Sequence, residues 1–101
     1  MPTPKMYVLV RNDLAETYKI VQGTHALAQF AHEFPVHFRR WNNNTIVFLG
    51  TKNYLDLKKW KQILENSGKQ FSAYHEPDLD SQLTAIACFD NSLIFKELRI
   101  A

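Results

Sequence analysis

The chain has little of what usually announces a function. Among 101 residues there is one cysteine, Cys88, so no internal disulfide is available, which fits a reducing compartment. Glycine occurs three times, and none of the three lies in a Gly-rich phosphate-binding loop. Twelve Lys and Arg face ten Asp and Glu; a net charge of +2 leaves RNA open as a partner without indicating it. No apolar run reaches membrane-spanning length, and the opening Met-Pro-Thr-Pro-Lys has neither signal-peptide nor amphipathic targeting character, so no membrane association and a cytoplasmic location are expected.

What is present is an ordinary globular composition. With 46% apolar and 22% charged residues, and aromatics spread throughout, residues 1–101 are expected to form one domain around one core. Any active site must then sit at the rim of that core.

Met6-Tyr7-Val8-Leu9-Val10 is a short continuous apolar run and predicts a strand buried on both faces. From about Thr17 the spacing turns helical, with Ile20, Thr24, Leu27, Ala31 and Phe34 on one apolar stripe, and the helix is expected to end before Pro35. His37 to Asn44 has no period and predicts a loop. Thr45 to Leu49, closed by Gly50, predicts a second strand. Asn53 is placed to cap a second helix carrying Tyr54, Leu57, Trp60 and Leu64, with Gly68 beyond its end. Phe71 to His75 and Leu83 to Phe89 predict strands three and four, and Asn91 to Ala101 a short helix or a packed tail. The expectation is a single three-layer α/β domain: a four-stranded mixed sheet, β-α-β-α-β-β along the chain, covered by helices. The crossover between the first two strands makes them parallel.

In such a sheet, ligands bind beyond the carboxyl ends of the parallel strands. The helix that follows strand one carries Gln22, His25, Gln29 and His32 at three- and four-residue intervals, a polar face richer in chemistry than one of Lys and Glu. Asp13 stands just past strand one, where a carboxylate can orient a neighbouring side chain or cap a turn. Arg39-Arg40-Trp41 followed by three asparagines puts two cations and a ring in the expected loop, which suits RNA contact or a packed Trp between solvated arginines. His75 with Glu76 and Asp78, or His25 with His32, match no known closed metal site, so no metal is expected. Cys88, mid-strand among apolar residues, reads as core filler.

Lys5-Met6-Tyr7-Val8-Leu9-Val10-Arg11-Asn12-Asp13-Leu14 resembles the opening strand of type 2 peptidyl-tRNA hydrolases, commonly Lys-Met-apolar-Val-Val-Arg-x-Asp-Leu. Lys19-Ile20-Val21-Gln22-Gly23-Thr24-His25-Ala26 is similar to that family's Lys-apolar-Ala-Ala-Gln-x-x-His-Ala helix, and Leu83-Thr84-Ala85-Ile86-Ala87 resembles its last strand. The likeness covers about residues 5 to 89. It implies hydrolysis of the ester joining a peptide to the tRNA 3′ end without a cofactor, with tRNA as partner; the sequence is silent on a homodimer. The family lysine lies four residues before its Gln, and here Lys19 lies three before Gln22. In place of the family's Asp-Ala-Gly-x-Thr-Gln segment stands Glu76-Pro77-Asp78-Leu79-Asp80-Ser81-Gln82.

Ester hydrolysis needs a carboxylate to orient water and a cation or N–H donors for the oxyanion. On this resemblance Lys19 would hold phosphate or the oxyanion and Asp78, or else Glu76, would orient water. Gln22 and His25 would shape the site, and Asp13, Arg39 and Arg40 would contact substrate. The competing expectation is an inactive member of the same fold that binds RNA or a protein.

Overall fold

The computed structural model describes residues 3–91 and 93–101. Along the chain run β1 (Lys5–Arg11), α1 (Glu16–Glu33), α2 (Pro35–Trp41), β2 (Ile46–Thr51), α3 (Tyr54–Asn66), β3 (Phe71–Glu76), a 3₁₀ turn (Pro77–Leu79), β4 (Gln82–Asp90) and β5 (Arg99–Ile100). They build an α/β fold on one mixed sheet in the order β3-β4-β1-β2-β5. β1 and β2 are parallel, and β4 runs antiparallel to both β1 and β3.

The sheet has five strands, not four, and the fifth comes from the tail. Arg99 and Ile100 pair antiparallel with Gly50 and Leu49, while Phe95 packs into the core. Two residues are too few to show a strand period, which is why the tail reads as irregular. There is also a third helix, α2, where a loop was expected. Pro35 does end α1, but a proline's fixed φ equally suits the first position of a new helix, and here it opens one. Phe34, Phe38 and Trp41 recur at helical spacing along it, with Trp41 buried and its indole N–H donating to the Thr45 carbonyl at 2.8 Å. The asparagines then stop the helix: Asn42 and Asn43 adopt left-handed φ of 54° and 52°, which short polar side chains tolerate.

Side chains alternate across the sheet and build two cores. Met6, Val8, Val10, Ala85 and Ala87 face α1 and α2, meeting Ala26, Phe30 and Trp41. Leu9, Leu49, Leu83, Ile86 and Cys88 face the other way, toward Leu57, Leu64 and Phe95. α3 starts as the sequence suggests, with the Asn53 side chain accepting from the Asp56 backbone N–H at 3.0 Å.

α1 is rotated from its expected setting. The stripe anticipated as buried includes Ile20, which is 58% exposed, whereas the helix buries Lys19, Gln22, Gly23, Ala26 and Phe30. Two causes combine. Gly23 has no side chain, so the Phe48 ring of β2 closes onto the helix where a Cβ would collide. The polar residues on that side are buried because each finds a partner, Gln22 on β3 and β4 and Lys19 in the loop after β1. No helix among the described residues is long and apolar enough to cross a membrane.

Candidate functional site

Topology gathers several of the expected residues at one edge. β4 is antiparallel to β1 and β3, so Glu76 at the end of β3 and Gln82 at the start of β4 lie at the same edge as the carboxyl end of β1. The loop carrying Asp13, the first turns of α1 with Lys19, and the 77–81 turn with Asp78 converge there. α2 lies at the opposite edge, since Trp41 bonds Thr45, whose carbonyl accepts from the Met6 N–H at the start of β1. Arg39 and Arg40, expected to contact substrate, are both exposed on α2 and are therefore not brought to the other residues.

The polar side of α1 lies along edge strand β3 as a zipper. Ascending the helix, Gln22 Nε2 donates to Glu76 Oε1 at 2.8 Å and the His25 ring stacks on Tyr74 with centroids 4.5 Å apart. Gln29 Nε2 then donates to the Ala73 carbonyl at 3.1 Å, and Glu33 accepts from the Ser72 hydroxyl at 2.6 Å. His32 remains exposed. The Gln and His pattern thus identifies the face that meets the sheet's last strand.

At the start of this zipper Gln22 is fully buried. Thr84 Oγ1 donates to Gln22 Oε1 at 2.6 Å. The direction follows from chemistry: an ionised Glu76 only accepts, so the Gln22 amide must turn its NH₂ to Glu76 and its oxygen to Thr84. A β-bulge sets Thr84 there. Tyr74 pairs with Ala85 and His75 with Leu83, leaving Thr84 as the extra residue. Leu83 still faces α3 and Ala85 faces α1, so the bulge turns Thr84 to the α1 side as well.

Glu76 is buried, 8% exposed. The Gln22 amide, then the Asp78 backbone N–H at 3.3 Å, and next the nearby His25 and the Tyr18 hydroxyl hold its carboxyl below its ordinary value of 4.5, outweighing the opposing effect of burial. Burial and then the negative charges of Glu76 and Asp78 raise the hydroxyls of Tyr18 and Tyr74. The 77–81 turn clamps this carboxylate. Ser81 N–H donates to the Glu76 carbonyl at 3.0 Å, and Asp80 and Ser81 both take positive φ, 52° and 60°. Asp78 is exposed and reaches Glu76 through its backbone, so the carboxylate set against α1 is Glu76, not the favoured Asp78.

Lys19 is nine-tenths buried on the β1 side of the helix. Its ammonium donates to Asn12 Oδ1 at 3.1 Å and pairs with Glu16 at 2.7 Å. Gly50 leaves room for the Asn12 side chain, which would collide with any Cβ there. Asp13 points to Arg11, accepting from its Nε and Nη2 at 3.0 and 2.8 Å, and this bidentate bond is the main reason its carboxyl lies below 3.8. Arg11 is itself buried, donates to Gln82 and the Leu83 carbonyl, and lies over the Tyr54 ring. Asp13 thus orients Arg11, which stitches β1 to β4. Among the described residues no three His, Cys, Asp or Glu come together in a way that could hold a metal.

Tyr18, Tyr74 and Thr84 were not singled out as site residues from sequence. For Thr84 a signal existed, a hydroxyl inside the apolar run 83–89. The tyrosines gain meaning only from the α1–β3 contact.

No protein-family model matches the chain, and no curated protein matches it. The solved structure of Atu0240, a protein of unknown function from Agrobacterium tumefaciens strain C58, is similar, with a TM-score of 0.74 and 16% identity over 100% of this chain and 99% of that one. That likeness shows the fold.

Proposed function

We propose that the chain hydrolyses the ester bond of peptidyl-tRNA at the edge where α1 meets the 77–81 turn. The observation that supports this reading is the buried 2.8 Å bond from Gln22 to Glu76. It ties the helix segment that resembles the hydrolase family to a carboxylate at the end of β3, beside the turn before β4, where such a group can orient water.

Glu76 accepts from Gln22 on one carboxylate oxygen and from the Asp78 N–H on the other, with the Tyr18 hydroxyl donating as well, and a carboxylate's roughly four lone-pair sites leave room for a water. It orients a water toward the ester carbonyl and receives the proton as the C–O bond forms. The Tyr18 hydroxyl keeps its proton and turns from Glu76 to donate to the oxyanion. Collapse of the tetrahedral intermediate breaks the ester, the tRNA 3′ oxygen takes the proton from Glu76, and free tRNA and peptide leave. His25, stacked on Tyr74, forms the wall of the site. β1 and β3 are two strand spacings, about 10 Å, apart. Lys19, on the β1 side, is therefore set apart from the reacting bond and anchors a more distant group of the substrate.

A second reading, a binding module for RNA or a protein, is favoured by one observation. Among the described residues every buried side-chain polar atom already has a partner within the chain, as in a purely structural bridge. Incubating the purified chain with a model peptidyl-tRNA and following free tRNA separates the two. Cleavage that Glu76→Gln abolishes, and that Arg39→Ala leaves intact, supports hydrolysis. Salt-sensitive retention of tRNA without cleavage refutes hydrolysis in favour of RNA binding, and neither result points to a protein partner.

A further inference from the structure

On the far side of α1 from Glu76 lies a cleft of about 350 Å³, lined by Val10, Glu16, Lys19, Ile20, Phe48 and Ala101. Its size falls within the roughly 300–1,000 Å³ of small-molecule sites. Apart from Glu16, Lys19 and the main-chain end at Ala101 its lining is apolar, and Ile20 is 58% exposed beside it. Lys19 is the one cation there, nine-tenths buried at the wall of an apolar recess. Of its three N–H donors one is held by Asn12 and one by Glu16. The Glu16 side chain is 82% exposed, so it can swing into water at little cost.

We propose that this cleft binds a small carboxylate with an apolar tail, the tail between Ile20 and Phe48 and the carboxylate on Lys19 in the place Glu16 now holds. A single buried cation in an apolar wall matches one negative charge; a phosphate dianion would need more donors than the lining supplies. An amine is disfavoured because the buried partner, Lys19, is positive. The inference goes beyond ester hydrolysis: of the residues given a hydrolytic role only Lys19 lines the cleft, and binding is read without turnover.

The test titrates the full chain with hexanoate, following NMR signals of Ile20 and Val10, with hexan-1-ol and hexylammonium as comparators. Hexanoate is expected to shift these signals saturably and to bind about tenfold more tightly than hexan-1-ol, the return on one charge-assisted contact. Lys19→Met should remove that advantage. Glu16→Gln, at an exposed position, should tighten hexanoate binding about threefold by removing the competing carboxylate. Equal binding of hexanoate and hexan-1-ol, preference for hexylammonium, or weaker binding in Glu16→Gln would overturn the proposal. So would the same shifts appearing on concentrating the protein alone, which would assign the cleft to a second copy of the chain.

Discussion

Replacing Gln22 by Leu tests the bridge at the centre of the fold's polar edge. Gln22 is fully buried and makes two side-chain hydrogen bonds, to Thr84 at 2.6 Å and to Glu76 at 2.8 Å. Leucine fills most of the volume and makes neither bond. The Thr84 hydroxyl is left with a 3.5 Å contact to the Tyr74 carbonyl. Two net bonds at about 0.5–1.5 kcal/mol each, with a poorly satisfied hydroxyl left behind, give about 2–3 kcal/mol. For a domain of this size that lowers Tm by roughly 10–20 °C. Thermal unfolding followed by circular dichroism near neutral pH reads it, and adding Thr84→Val to Gln22→Leu should recover about 1 kcal/mol because both ends of one bond are then gone. The pH sign is fixed by Glu76. Its folded value is lowered, so its contribution is full above the ordinary 4.5 and is lost as pH falls through the folded value. The gap between parent and Gln22→Leu should therefore narrow in acid. A variant as stable as the parent at neutral pH, or a gap that widens below pH 4.5, refutes the bridge.

Three further outcomes follow from the geometry. Burial pushes the Cys88 thiol up to about 12, so a thiol reagent at mildly alkaline pH should leave the native chain unlabelled and label it only in denaturant. Asp13→Asn removes the charge from the carboxylate that grips buried Arg11; since Asp13 is 38% exposed and Arg11 keeps Gln82 and Leu83, the cost should be about 1 kcal/mol. That cost should appear in thermal unfolding above the ordinary 3.8 and fade as pH falls through Asp13's lowered folded value. The double change Arg39→Ala with Arg40→Ala, at the edge away from Glu76, should leave both Tm and the rate of ester cleavage within twofold of the parent, and a larger loss of rate would move substrate contacts to α2.

Much of the architecture was legible because single local signals dictate it. The apolar run 6–10, the Asn53 cap and the parallel crossover each follow from local chemistry and survive in the structure. What misled was the assumption that polar means outward. Gln22 and Lys19 lie off the apolar stripe in sequence, yet both are buried, because Glu76 and Thr84, distant in the chain, and Asn12, just before the helix, meet them. A helix period shows that a face exists and does not show what it packs against. The same gap hid α2, whose Phe34-Phe38-Trp41 spacing was masked by Pro35 and the flanking basic residues. It also hid the Thr84 bulge, visible only once the β3–β4 register is known.

Whether Glu76 acts as an ionised carboxylate held in place by Gln22 is measured most directly by the pH profile of the proposed peptidyl-tRNA cleavage. The acid limb should have its midpoint below 4.5, and Gln22→Leu should move that midpoint upward. An acid limb set by a group titrating near neutrality, or a midpoint unmoved by Gln22→Leu, would contradict it.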